Sequence, residues 1–305
     1  MTGTGGVPAA ALRRPVGVHV PTAGGLAAGG LRYAAAAGAE AVQVFATNPR
    51  GWALAAGDPA QDAAVRAAVD RDQLPVFVHA PYLINLGSPD ARVWGLSVGS
   101  LRYSLARGAQ LGARGVVVHT GSAVGGDRAA ALRRVREALL QVLDGLPAGG
   151  PDLLLEPMAS QRAMLCSGPA DLRAYLDMLD WHPRAGICLD TCHAFAAGHD
   201  LAAPGGAARL LSDLESAGCG GRLRLIHAND SKDPCGSGRD RHENIGNGLI
   251  GTGPFGALLR HPATDGVPFI IETPGGEQAH TADIARLRAL RESAVTLAAP
   301  AAPAQ

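Results

Sequence analysis

Short apolar runs alternate along the chain with longer segments rich in Ala, Leu and Arg. The runs are Val16–Val20, Ala41–Phe45, Val76–His79, Gly115–His119, Leu153–Glu156, Ala185–Leu189, Leu223–His227 and Phe269–Glu272. Each is β-branched or Leu-rich and bounded by Gly or Pro, the pattern of strands buried on both faces of a parallel sheet. Between them, Ala91–Leu111, Arg128–Leu146, Asp171–Leu179 and Ala207–Ala217 carry apolar positions at helical spacing. Arg102, Arg107, Arg133, Arg136 and Glu137 punctuate those positions and give the helices one wet face. Eight strands and at least seven intervening helices in 305 residues predict an α/β fold, a single (β/α)8 TIM barrel. A doubly wound open sheet is the competing architecture, but no Gly-x-Gly-x-x-Gly follows the first strand. The barrel is expected over residues 15–297, with a flexible Gly/Ala-rich extension at 1–14 and a disordered Ala/Pro tail at 298–305.

Composition narrows the class. Charged residues make up 18% and apolar residues 47%, which disfavours wholesale disorder. No apolar run is long enough to span a membrane, and no compact apolar signal core opens the chain. The five cysteines lack the paired spacing of a zinc ribbon, so they read as reduced thiols in a cytoplasmic protein. Basic and acidic residues number 27 each, which at first argues against bulk electrostatic binding of nucleic acid.

The candidate chemistry is positional. Six of the eight predicted strands end on, or are followed at once by, His79, His119, Glu156, Asp190, His227 or Glu272. In a barrel all six project at the C-terminal mouth, where active sites are built. His193 follows Asp190 by three residues, and Asp240 and His242 lie in the long Gly-rich stretch Ala228–Thr252. One His at a strand end is ordinarily a satisfied polar terminus, and one Asp or Glu ordinarily caps the next helix. Converging carboxylates without cations, however, are costly. Imidazole with carboxylate and no thiolate suits zinc, manganese or iron better than magnesium or calcium. Nine ligands exceed one zinc, so two or three ions sharing a carboxylate fit the number. Such a site suits phosphoester hydrolysis, with a metal-dependent sugar isomerase or epimerase as the alternative on the same barrel.

Four strings then carry a resemblance: His79–Leu86 (HAPYLINL), Cys188–Asp200 (CLDTCHAFAAGHD), His227–Lys232 (HANDSK) and Asp240–Gly246 (DRHENIG). They resemble the endonuclease IV family of apurinic/apyrimidinic (AP) endonucleases, in order along nearly the whole chain. The resemblance implies a three-zinc barrel acting as a zinc-dependent deoxyribonuclease of the phage-T4-induced type, with manganese possible at one site. It would cleave duplex DNA 5′ to an abasic site, leaving a 3′-hydroxyl and a 5′-deoxyribose phosphate. By this resemblance His79, His119 and Glu156 hold one ion. Glu156 bridges to a second, completed by Asp190, His227 and Glu272, and His193, Asp240 and His242 hold the third. A metal-bound hydroxide would be the nucleophile, with Glu156 and Glu272 orienting it as ligands and no side-chain nucleophile. Cys192, between Asp190 and His193, reads as a small core residue.

Two segments depart from the family pattern. His119 is followed by Thr120-Gly121 where Pro-Gly is usual, and Glu156 by Pro157-Met158-Ala159-Ser160 where Asn-Thr-Ala-Gly is usual. The second bears on hydrogen bonding around the bridging carboxylate, where orientation matters; a non-catalytic lesion-binding protein is therefore a third reading. For DNA contact, the resemblance points to Arg50 in NPRGW and to Tyr82-Leu83, an aromatic-aliphatic pair able to fill the gap left by a missing base. The plain alternative for Tyr82-Leu83 is a buried loop anchor. Lys232, the one Lys in an Arg-rich chain, is a candidate phosphate contact near the mouth. A monomer is expected, since metals and DNA contacts come from one chain. Setting aside the four ligand carboxylates leaves 23 acidic residues against 27 basic, so neutrality overall is compatible with a positive mouth.

Overall fold

The computed structural model describes residues 14–159 and 163–298. Apart from Arg14 and Ala298, the expected terminal extension and tail lie outside the described residues, as does Ser160. The barrel strands are β1 (Val16–His19), β2 (Ala41–Phe45), β3 (Val76–His79), β4 (Gly115–His119), β5 (Asp152–Glu156), β6 (Ala185–Asp190), β7 (Leu223–His227) and β10 (Phe269–Ile271). They pair in parallel and close in the order β1-β10-β7-β6-β5-β4-β3-β2. The open-sheet alternative is thereby excluded.

The helices are α1 (Arg32–Ala36), α2 (Pro59–Asp72), α3 (Ala91–Leu111), α4 (Arg128–Leu143), α5 (Pro169–Met178), α6 (Thr191–Ala197), α7 (Gly206–Ser216), α8 (Thr252–Leu258) and α9 (Glu277–Ala298). Asp58, Asp90 and Asp127 start α2, α3 and α4 by each accepting two backbone N–H bonds from the first turn. Gly112 ends α3 in the left-handed region, at φ 73°, where a Cβ is disfavoured. Most of the apolar core lies between the strands and this helical ring.

The strand ends differ from expectation by a residue. β1 stops at His19, β5 begins at Asp152, β6 runs on to Asp190, and β10 stops before Glu272. α4 stops at Leu143 rather than Leu146, and α5 and α7 are each shifted slightly towards the N-terminus. Arg107 is a correction of substance. It does not face water but is 5% exposed, its guanidinium bonded to both Asp62 carboxylate oxygens at 2.5 and 2.7 Å. The fork geometry of Arg pairs it with the partly exposed Asp62 carboxylate in a way helical periodicity does not reveal. The Ala228–Thr252 stretch also has structure of its own, an antiparallel ribbon of β8 (Asp230–Ser231) and β9 (His242–Glu243).

Candidate metal centre

A second apolar cluster fills the barrel interior: Ala41, Phe77, Val117, Leu154, Cys188, Leu225 and Ile270. Side chains on a strand repeat their direction every second residue. Two residues further along those seven strands stand Gln43, His79, His119, Glu156, Asp190, His227 and Glu272. On β1 the matching step runs from Gly17, where a Cβ would come within 1.9 Å of the Ala41 carbonyl oxygen, to His19. The pleat therefore places a polar position directly beyond an apolar plug residue on each of these strands. Strand pairing sets His19 opposite Gln43, His119 opposite Glu156 and Asp190 opposite His227. Between these pairs Gln43 stands opposite Phe77, His79 opposite Val117 and His227 opposite Ile270, so the polar positions climb around the barrel in two-residue steps.

His79 Nε2 and His119 Nε2 each lie 3.3 Å from Glu156 Oε2. Nδ1 of His227 is 2.8 Å from Glu156 Oε1, 3.4 Å from Glu272 Oε2 and 3.9 Å from Asp190 Oδ2. His193 enters from the first turn of α6, which Asp190 caps by accepting the His193 backbone N–H at 2.9 Å. His193 Nε2 approaches Asp240 Oδ2 at 3.1 Å, and His242 Nε2 approaches Asp240 Oδ1 at 3.0 Å. All nine residues singled out in the sequence therefore meet, in overlapping groups whose ligand atoms lie within 4.8 Å of one another.

The outer nitrogens fix how the rings present themselves. His79 Nδ1 faces the Ala80 carbonyl at 2.7 Å, His193 Nδ1 the Pro157 carbonyl at 3.0 Å, and His242 Nδ1 the Glu272 carbonyl at 3.1 Å. A carbonyl only accepts, so each Nδ1 carries the proton and each Nε2 faces the cluster. His227 is reversed: Nε2 donates to the Gln43 amide oxygen at 2.9 Å, leaving Nδ1 inward. Gln43, His19 and Asn229 belong to the site and are not singled out by the sequence reading. His19 Nδ1 and Gln43 Nε2 reach Glu272 Oε1 at 2.9 and 2.6 Å, and Asn229 donates to Asp190 Oδ2 at 2.7 Å. The two-residue strand repeat is the signal that finds His19 and Gln43.

Electrostatics describe a cluster that wants cations. Burial opposes ionisation of Glu156, yet His227, His119 and His79 hold its carboxyl well below the usual range. Glu272 is held low against the same desolvation by His227, His19 and His79. Burial opposes charge on His193 too, but Asp190, Asp240 and Glu156 keep it up to about 10; Asp190, Asp240 and Glu272 keep His242 up to about 9. Protons occupy the places of positive charge in this arrangement. His242 Nε2 is buried without a hydrogen-bond partner, despite its nearness to Asp240. Donors around a tetrahedral ion with bonds of about 2.0 Å sit about 3.3 Å apart, so the spacings and the donor set both fit divalent metal. Two thiols approach the cluster, Cys188 near Glu156 and His227, and Cys192 near Asp240 and His242. Burial pushes the Cys188 thiol up to about 12 and raises Cys192 as well, which keeps both protonated and poor as ligands.

The two family departures have local answers. Pro157 offers His193 its backbone carbonyl, so no side chain at that position is required to fix the ring. Thr120 has the N–H that Pro lacks and donates it to the Glu156 carbonyl at 3.1 Å. Met158 lines the mouth cavity of about 290 Å³ together with Tyr82, His119, His193, Asp240, His242 and Glu272. Two grooves between outer helices are larger, but among the described residues no metal-ligand cluster lines them. Tyr82 and Leu83 are 48% and 37% exposed, which overturns the buried-anchor alternative. Tyr82 stacks on His119 at 5.8 Å, and its backbone N–H bonds the Pro49 carbonyl, tying it to the loop that presents exposed Arg50. Lys232 Nζ lies 3.9 Å from Glu243 Oε2, beside His242.

Residues 31–290 match the xylose isomerase-like TIM barrel family. The chain is 58% identical over 282 residues to a probable endonuclease 4 of Streptomyces coelicolor, covering 92% of this chain and 96% of the relative. The chain belongs to the endonuclease IV family. The crystal structure of endonuclease IV from Thermus thermophilus superposes with a TM-score of 0.80 at 33% identity, covering 92% of this chain and 99% of that one. Likeness to a D-tagatose 3-epimerase-like protein, TM-score 0.67 at 21% identity over 86% of this chain and 91% of that one, marks the fold that endonuclease IV shares more widely.

Proposed function

We propose that this chain is a DNA-repair endonuclease that hydrolyses the phosphodiester 5′ to abasic sites in duplex DNA, leaving a 3′-hydroxyl and a 5′-deoxyribose phosphate. The carrying observation is that His193, Asp240 and His242 line one cavity with the strand-end residues His119 and Glu272, while His193 and His242 share a ligand group with Asp190. A barrel epimerase using one or two metals has no need of that third group. In this reading His79, His119 and Glu156 hold one zinc, Glu156, Asp190, His227 and Glu272 a second, and His193, Asp240 and His242 a third. Bound divalent ions would neutralise the phosphate oxygens and acidify a water at neutral pH.

The chain's own residues do the rest. Glu156 couples two of the donor groups, and the backbone carbonyls behind His79, His193 and His242 keep their rings from turning. Tyr82 and Leu83 fill the space of the absent base, and Arg50 and Lys232 meet the phosphate backbone. No side chain acts as nucleophile, since both nearby thiols stay protonated. The protein works as a monomer in the cytoplasm. Among the described residues no helix is long and apolar enough to cross a membrane. Metal analysis paired with cleavage of a duplex carrying a tetrahydrofuran abasic analogue tests this reading. Incision at the analogue with about three metals per chain is expected; a fully loaded protein that binds but does not cut would refute it in favour of a lesion-binding role.

A further inference from the structure

The exposed large apolar side chains among the described residues are Leu54, Tyr82, Leu83, Val124 and Leu249. All five lie on connections that follow the C-terminal ends of strands: Leu54 after β2, Tyr82 and Leu83 after β3, Val124 after β4, and Leu249 beyond β7. Isolated exposed apolar residues are ordinary on any protein surface. Confinement of these five to a single rim, none on the outer helices, is not scatter.

Val124 is singled out by its backbone. It is 61% exposed, the most of the five, and stands at φ 52°. Among the described residues the other non-glycine positions with positive φ are Gln73, Asp180 and Trp181, so Val124 is the β-branched one of these. Branching at Cβ makes that conformation costly, and such strain persists where surrounding structure imposes it. The loop is in fact clamped on both sides. Ser122 donates its N–H to Asn85 Oδ1 at 3.0 Å, in the loop that carries Tyr82 and Leu83. Ala123 donates to the Ala163 carbonyl at 2.9 Å, and the Val124 N–H goes to Ser122 Oγ at 3.0 Å. A side chain held out into water, in a backbone state that disfavours it, gains nothing from the folded chain alone.

We propose that Val124 is a further DNA-contacting residue, extending the Tyr82–Leu83 edge along the neighbouring β4 connection and packing against the sugars of the duplex beside the lesion. This rests on the endonuclease reading above. The test uses Val124→Gly and Val124→Asn in the metal-loaded enzyme, both residue types being at home at positive φ. KM for the tetrahydrofuran duplex is expected to rise by about five- to tenfold with kcat retained, as loss of one apolar contact implies. Metal content should be unchanged, and Val124→Gly should melt at a higher temperature than the parent because strain is relieved. Unchanged KM in both variants overturns the proposal, and so does a lower melting temperature for Val124→Gly, which would make Val124 a support of the fold. If the parent itself fails to cut, the endonuclease reading falls and takes this inference with it; a parent that cuts beside indifferent variants removes the inference alone.

Discussion

His227 donates through Nε2 to the side-chain oxygen of Gln43 at 2.9 Å, and this one bond decides which nitrogen of His227 faces the cluster. The Gln43 amide nitrogen meanwhile holds Glu272 Oε1 at 2.6 Å, so a single buried amide orients two of the proposed ligands. Replacing Gln43 with Met keeps the volume and removes both bonds. Metal affinity at the Glu156–His227–Glu272 group should fall by about 10–100-fold, the usual cost of losing an outer partner. Competition against a graded chelator, read by metal analysis, checks this; retention of parental affinity would assign Gln43 to packing alone.

Glu156 lies within 3.3 Å of both His79 and His119 through one oxygen, and 2.8 Å from His227 through the other. An amide cannot serve both sides as an anion. Glu156→Gln should therefore lower metal content by more than one ion per chain and reduce kcat/KM on the order of 10³-fold. A variant that keeps its full metal complement would show that the carboxylate does not bridge.

Protons and cations compete for the third group. In the metal-free chain His193 is held up to about 10 and His242 up to about 9. Their native pKa values lie above the unfolded value, so their share of metal-free stability is complete below pH about 6.5 and fades as pH rises through 9–10. Metal must displace those protons. Zinc titration at about pH 8 should release protons, seen as heats that vary with the ionisation enthalpy of the buffer, and affinity should weaken as pH falls. Heats independent of buffer would contradict this.

The barrel is legible because buried parallel strands write themselves as short β-branched runs, and six of the proposed ligands are legible because they stand where those runs end. His19 and Gln43 escape for different reasons. His19 is absorbed into an apolar run that extends one residue beyond the strand, and Gln43 sits inside a strand, where a polar residue is not expected to carry chemistry. Both follow the same two-residue step that places Glu156 above Leu154 and His227 above Leu225. Arg107 is misplaced by periodicity because helical spacing records which face a residue is on, not whether an acidic partner such as Asp62 meets it there. The tautomers of His79, His193 and His242 depend on backbone carbonyls brought near by the fold, and no residue pattern encodes those distances.

Tyr82 and Leu83 stand exposed at the rim although both are apolar enough to bury. Changing both to Ala should weaken recognition of abasic duplex by about tenfold or more, since such wedges offset the cost of unstacking and bending. Metal content should stay at the parental level. Cleavage assays at graded substrate concentration separate the two effects, and an unaltered KM would remove the pair from the DNA interface.

Lys232 pairs with Glu243 at 3.9 Å, and both side chains are partly exposed. Such a pair is worth little to stability, because water screens it and two flexible side chains must be held. The ammonium can therefore exchange Glu243 for a phosphate at small cost. Lys232→Ala should weaken binding of damaged and undamaged duplex alike and reduce the slope of log affinity against log salt by about one. Lys232→Arg restores the charge, so it should restore the slope; failure to do so would show that the compact ammonium itself is required. Equal slopes for the parent and Lys232→Ala would mean that this residue makes no phosphate contact.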